Sequence, residues 1–192
     1  MDLRTIIETK GESVDLIPLF FQINDDDIYI EEIDGLGKPI GSGVSTIVFD
    51  KGDDKVLCIS VDYAKVLYLK KEKAIKEFKF IRFLEFSHGD EVFTALIYEM
   101  EKLEKISKDD KDMTKIISEL SFLEDIGLDK EYISEDHANV LEGLSIDMDF
   151  YLVNDILEKH DARLDFHVGQ FMLDKQRNII CVDPLIGNNI YF

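Results

Sequence analysis

Three polar side chains between Arg163 and Pro184, in RLDFHVGQFMLDKQRNIICVDP, occupy places that an apolar core would not choose: Asp165, Gln170 and Asp183. The two carboxylates are eighteen residues apart, and Gln170 follows Asp165 by five. One carboxylate can orient a hydroxyl nucleophile, while a second, with an amide oxygen, can hold magnesium against phosphates. Such a set suits phosphoryl transfer. The plainer alternative is an ordinary hairpin with solvated acids, which an acidic chain readily supplies.

The elements that must position these residues follow from local pattern. Phe171 to Leu173 has the composition of a brief strand, Asp174 to Asn178 of a turn, and Ile179 to Val182 of an apolar strand ending at Asp183. A hairpin of this kind brings both acids to one end. Met148 to Lys159, with apolar Phe150, Val153, Ile156 and Leu157, predicts a helix that delivers the chain to that loop. Earlier in the chain, Gly41, Ser42 and Gly43 precede the strand-like Val44 to Phe49. Backbone amides in such a turn can lie over phosphates because no side chain obstructs them, although a pair of hairpin glycines alone means only a tight turn. Lys55 to Val61, KVLCISV, predicts the next strand. Tyr63 to Phe86 carries Leu67, Ala74, Ile75, Phe78, Ile81 and Leu84 at helical steps, which predicts one long helix. Val92 to Met100 predicts a buried strand, Ser107 to Asp112 a charged break, and Met113 to Ile126 an amphipathic helix.

In order and spacing these motifs resemble the protein-kinase-like superfamily, in the style of short kinase-like proteins of tailed bacteriophages. The resemblance runs from about Gly41 to Leu185 and rests on GSGVSTIVF, DFHVGQFML and VDPL. It implies an α+β, two-lobed fold: residues 1–106 as an N-lobe with an antiparallel sheet and one packed helix, and residues 107–192 as a reduced, mainly helical C-lobe. It further implies ATP and magnesium in a cleft. Gly41, Ser42 and Gly43 would cover the phosphates, and Glu99 and Met100 would lie at the adenine connection. Asp165 would serve the hydroxyl, His167 would either touch the transferred phosphate or hold the loop by a hydrogen bond, and Gln170 and Asp183 would serve the metal. Two positions depart from the family pattern. Gln170 stands where asparagine is expected, and Cys58 stands where a phosphate-bridging lysine is expected, and a thiol supplies no cation. Glu77, then Glu72, would be that lysine's acidic partner on the helix, and Lys65 or Lys55 is a candidate substitute, with Lys55 pointing to the wrong strand face. The short PLIGNNIYF after Asp183 stands where full kinases continue into further helices.

Composition frames two functions. Acidic residues number 41 against 22 basic ones, a formal net charge of −19, so direct binding to nucleic acid is not expected. No apolar run reaches membrane-spanning length, and the start is not a cationic leader, which together suggest a cytoplasmic protein. Cys58 and Cys181, each in an apolar strand, are expected to be reduced core thiols. With Cys58 and Gln170 as they are, the favoured expectation is a degenerate pseudokinase whose acidic surface engages a basic host protein, such as a nucleic-acid enzyme. The alternative is a working ATP- and magnesium-dependent kinase. A lysine such as Lys65 reaching the acids would reverse that order.

Overall fold

The computed structural model describes residues 39–43, 45–73, 75–88, 91–107, 148–165 and 168–187, with Glu135, Asn139, Glu142, Gly143 and Ile146. These belong to two compact units, one containing residues 39–63 and 77–101 and the other residues 64–76 and 102–187. The predicted helix at Met113 to Ile126 lies outside the described residues. The architecture is α+β with antiparallel sheets.

The first unit is a five-stranded antiparallel sheet of β1 (Pro39–Ser42), β2 (Thr46–Gly52), β3 (Lys55–Ser60), β4 (Lys79–His88) and β5 (Glu91–Glu101). Its order is β1-β2-β3-β5-β4. Strand β3 is central, and Val56 to Ser60 are all buried, which explains why KVLCIS has an almost continuous apolar run instead of an alternating one. Ile47, Phe49, Leu57, Ile59, Ala95 and Ile97 form its core. Between β2 and β3, Asp53 and Asp54 both take left-handed backbone angles, φ 51° and 58°, as a two-residue hairpin turn requires.

The second unit contains helix α1 (Tyr63–Lys71, all but its first residue) and helix α2 (Phe150–Lys159). Its short strands are β6 (Glu104–Lys105), β7 (Ala162–Leu164), β8 (Phe171–Leu173), β9 (Ile179–Cys181) and β10 (Leu185–Gly187). Strands β6, β8 and β9 form one antiparallel sheet, and β7 pairs with β10. Helix α2 starts where the Asp149 carboxylate accepts a hydrogen bond from the Leu152 amide at 3.0 Å, and it buries Val153 and Ile156.

One prediction fails here. The long helix expected over Tyr63 to Phe86 ends at Lys71, and Lys79 to His88 is strand β4. Glu77, with φ 58°, is incompatible with a continuing helix. Ile75, Phe78, Ile81 and Leu84 recur at three-residue steps and so imitate a helical stripe, yet from Lys79 onward the segment pairs along its length with β5. That non-local pairing, not local periodicity, determines its conformation.

Candidate functional site

Two antiparallel ladders of the second unit bring Asp165, Gln170 and Asp183 together. In the β7–β10 ladder Leu164 faces Leu185, and the Asp165 amide donates to the Pro184 carbonyl at 2.9 Å, so Asp165 lies beside the residue after Asp183. In the β8–β9 ladder Phe171 faces Cys181, and the Val182 amide donates to the Gln170 carbonyl at 2.8 Å, so Gln170 lies beside the residue before Asp183. Backbone register alone therefore gathers three residues spread over eighteen positions of sequence. A side-chain bond completes the arrangement: Gln170 Nε2 donates to Asp165 Oδ2 at 2.9 Å. Gln170 is buried, and its amide oxygen is the atom that could join a metal's donor set.

Helix α1 places a cation on this cluster. Lys65 Nζ forms an ion pair with Asp183 Oδ2, and both side chains are mostly buried, 14% and 16% exposed. Asp183 Oδ1 is fully buried. One turn further along the helix, the hydroxyl of wholly buried Tyr68 donates to the Cys181 carbonyl at 3.0 Å. Burial, then the neighbouring Cys181 and Glu72, push the Tyr68 phenol well above its ordinary pKa, so it remains a neutral donor. Burial likewise raises the Cys181 thiol, which is a free, protonated core group. Another turn on, Glu72 accepts from the Asp149 amide at 3.0 Å at the start of α2. Beyond the helix, Lys76 Nζ reaches Asp174 Oδ2 at 3.2 Å. Lys65, Tyr68, Glu72 and Lys76 thus fasten three segments of the unit to the helix and the chain just after it: the end of β9 at Cys181 to Asp183, the start of α2 at Asp149, and the hairpin turn at Asp174. Lys65 was legible as a candidate cation, whereas Tyr68 was missed. Its three-residue spacing from Lys65 on the same helix was the available signal.

The hairpin turn is held by a second carboxylate. Asp174 accepts from the Gln176 and Asn178 amides, both at 2.8 Å, and from Asn178 Nδ2 at 2.9 Å. Burial alone would raise its pKa, but the bonds from Asn178, Lys76 and Gln176 outweigh burial and hold it below the ordinary value.

The remaining predicted site residues lie in the first unit. Gly41 and Ser42 are in β1, and the Gly43 amide donates to the Thr46 carbonyl at 2.9 Å to close the turn into β2. Neither Gly41 nor Gly43 has a positive φ, and a Cβ at either would meet nothing closer than 3.9 Å, so the backbone itself does not demand glycine there. Cys58 is 3% exposed in central β3 between Val48 of β2 and Tyr98 of β5. Glu77 is not on the helix as expected. It is exposed and pairs with Lys55 at 3.3 Å, away from position 58. Glu99 is buried on β5 and paired with Lys51, and Met100 beside it is buried. Burial, then Lys79 and Lys55, lower the pKa of Lys51. His167 lies outside the described residues.

Among the described residues no group of three or more His, Cys, Asp or Glu side chains is placed to hold a metal ion. Magnesium does not require one, because it keeps several waters and takes one or two carboxylates with substrate phosphates. The hard oxygen atoms of Asp183 and Gln170 fit that chemistry. No helix among the described residues is long and apolar enough to cross a membrane. Comparison with protein-family models, with curated proteins and with solved structures gives no match.

Proposed function

We propose that this chain is a kinase-like phosphotransferase whose phosphate-binding cation has moved from the central strand to helix α1. The observation that carries the reading is the ion pair of Lys65 with Asp183, formed beside the Asp165–Gln170 hydrogen bond. Cys58 is buried in the sheet and supplies no positive charge, while Lys65 delivers one directly to the acidic cluster. The reading stands on residues of the second unit alone. Asp183 and the Gln170 amide oxygen would hold magnesium, which would neutralise charge on the bound phosphates. Asp165 orients the acceptor hydroxyl and takes its proton as the terminal phosphoryl group of ATP moves to that oxygen and its bond to the departing ADP breaks. Lys65 stabilises negative charge on the phosphates. The acceptor is a hydroxyl of a protein or small molecule, and the site of action is cytoplasmic.

Calorimetric titration of ATP with magnesium into the native chain tests the proposal. Saturable binding is expected, falling about tenfold or more in Lys65→Met, since a charge-assisted contact is worth about 1.5–3 kcal/mol. In Asp183→Asn the dependence on magnesium should disappear. Absence of any saturable binding by the native chain would sink the phosphotransferase reading.

A second reading has its own support in Cys58 and the net charge of −19. In it the chain is a phage-type pseudokinase that takes over a host protein with a basic surface, such as a nucleic-acid enzyme, through its acidic face. Nucleotide would then be dispensable, and association with the partner would weaken steeply with salt.

A further inference from the structure

We infer that Lys65 makes the site selective for a metal–nucleoside triphosphate complex over the free divalent cation, by occupying Asp183 until phosphates draw it away; the inference rests on the phosphotransferase reading. Its basis is positional. Lys65 Nζ sits on Asp183 Oδ2, an oxygen that a divalent ion would also use, and two cations cannot share it at contact distance without strong repulsion. The pair is mostly shielded from water, so screening by solvent does little to relieve that conflict. Helix α1 does not have to move for Lys65 to leave. Tyr68 holds the helix to the Cys181 carbonyl and Glu72 holds it to the Asp149 amide, so the exchange falls to the flexible four-carbon stem of Lys65. A bare cation offers the displaced ammonium no new partner. A triphosphate offers several oxygens, so metal and nucleotide enter together.

The experiment measures Mn²⁺ binding to the full chain without nucleotide, by the loss of the free-ion signal in electron paramagnetic resonance. If Lys65 covers Asp183 for nine-tenths of the time, removing its charge tightens apparent Mn²⁺ affinity about tenfold. That increase is expected in Lys65→Met and in Lys65→Gln, the latter keeping a hydrogen-bond donor so that the test survives if the former folds poorly. Lys65→Arg should bind Mn²⁺ as weakly as the native chain, and adding Asp183→Asn to Lys65→Gln should abolish the gain. Equal affinity in the native chain and both neutral variants overturns the inference, as does a gain that survives Asp183→Asn. The two readings fail separately. Mn²⁺ exchange at Lys65 without any ATP binding removes the phosphotransferase and keeps the cation competition, whereas ATP–magnesium binding with unchanged Mn²⁺ affinity does the reverse.

Discussion

At the scale of single residues, the acidic cluster depends on groups that do not themselves carry its charge. Tyr68 is the sharpest example. Its hydroxyl satisfies the Cys181 carbonyl two residues before Asp183, inside a core where no water competes. Tyr68→Phe keeps the ring and removes only that donor, leaving a buried carbonyl without it. A loss of about 1–3 kcal/mol in unfolding free energy is expected from urea denaturation. The same variant should weaken the magnesium-dependent part of ATP binding more than the magnesium-independent part, because the strand end bearing Asp183 loses its tether. Cys58 carries the opposite lesson. Restoring a lysine there by Cys58→Lys places an ammonium at a position 3% exposed between Val48 and Tyr98. The variant is expected to lower the thermal midpoint, measured by calorimetry, without strengthening ATP binding. If it instead tightens ATP binding several-fold, Lys65 is not the substitute cation.

At the scale of elements, what the sequence made legible was what short-range pattern controls. The β8–β9 hairpin, its turn at Asp174 to Asn178, and helix α2 all fall where short apolar runs, turn residues and helical spacing put them. The segment after α1 did not, because apolar residues at three-residue steps from Ile75 to Leu84 fit a helix locally while β5 offered a partner for a strand. Likewise, the sequence could name Lys65 as a substitute cation but could not place it, since its approach to Asp183 joins residues 118 apart in the chain. The hairpin itself supports a test. Asp174 is a depressed carboxylate, so its contribution to stability is fully present above the ordinary value of 3.8 and is lost as pH falls through its lower folded value. Asp174→Asn should therefore cost about 1–2 kcal/mol near neutrality, with the gap from the native chain closing only below about pH 4. Urea denaturation across pH 2.5–7 reads this directly. A gap that is constant with pH would mean that the shape of the Asp174 side chain, not its charge, holds the turn.

At the scale of the whole molecule, a net charge of −19 is a property that neither ladder nor helix explains. Local pairing does not cancel it: Lys51, Lys55 and Lys65 are each committed to a nearby acid, yet acids outnumber bases 41 to 22. Surplus like charge destabilises a folded chain by self-repulsion, and dissolved ions screen that repulsion over about 10 Å at 0.1 M salt. Raising sodium chloride from 10 to 200 mM should thus increase the thermal midpoint, the reverse of what a chain held by surface ion pairs would do. The same titration separates the two functional readings when a partner is present. In the phosphotransferase reading, the work at Lys65, Asp165 and Asp183 would be a local affair of partly buried groups, and binding of the ATP–magnesium complex should weaken only modestly over that range. Capture of a basic partner by the acidic field would lose association rate by about an order of magnitude or more. A midpoint that falls with salt would mean that the acidic surplus is already neutralised within the fold, and the field would then be no basis for recruiting a partner.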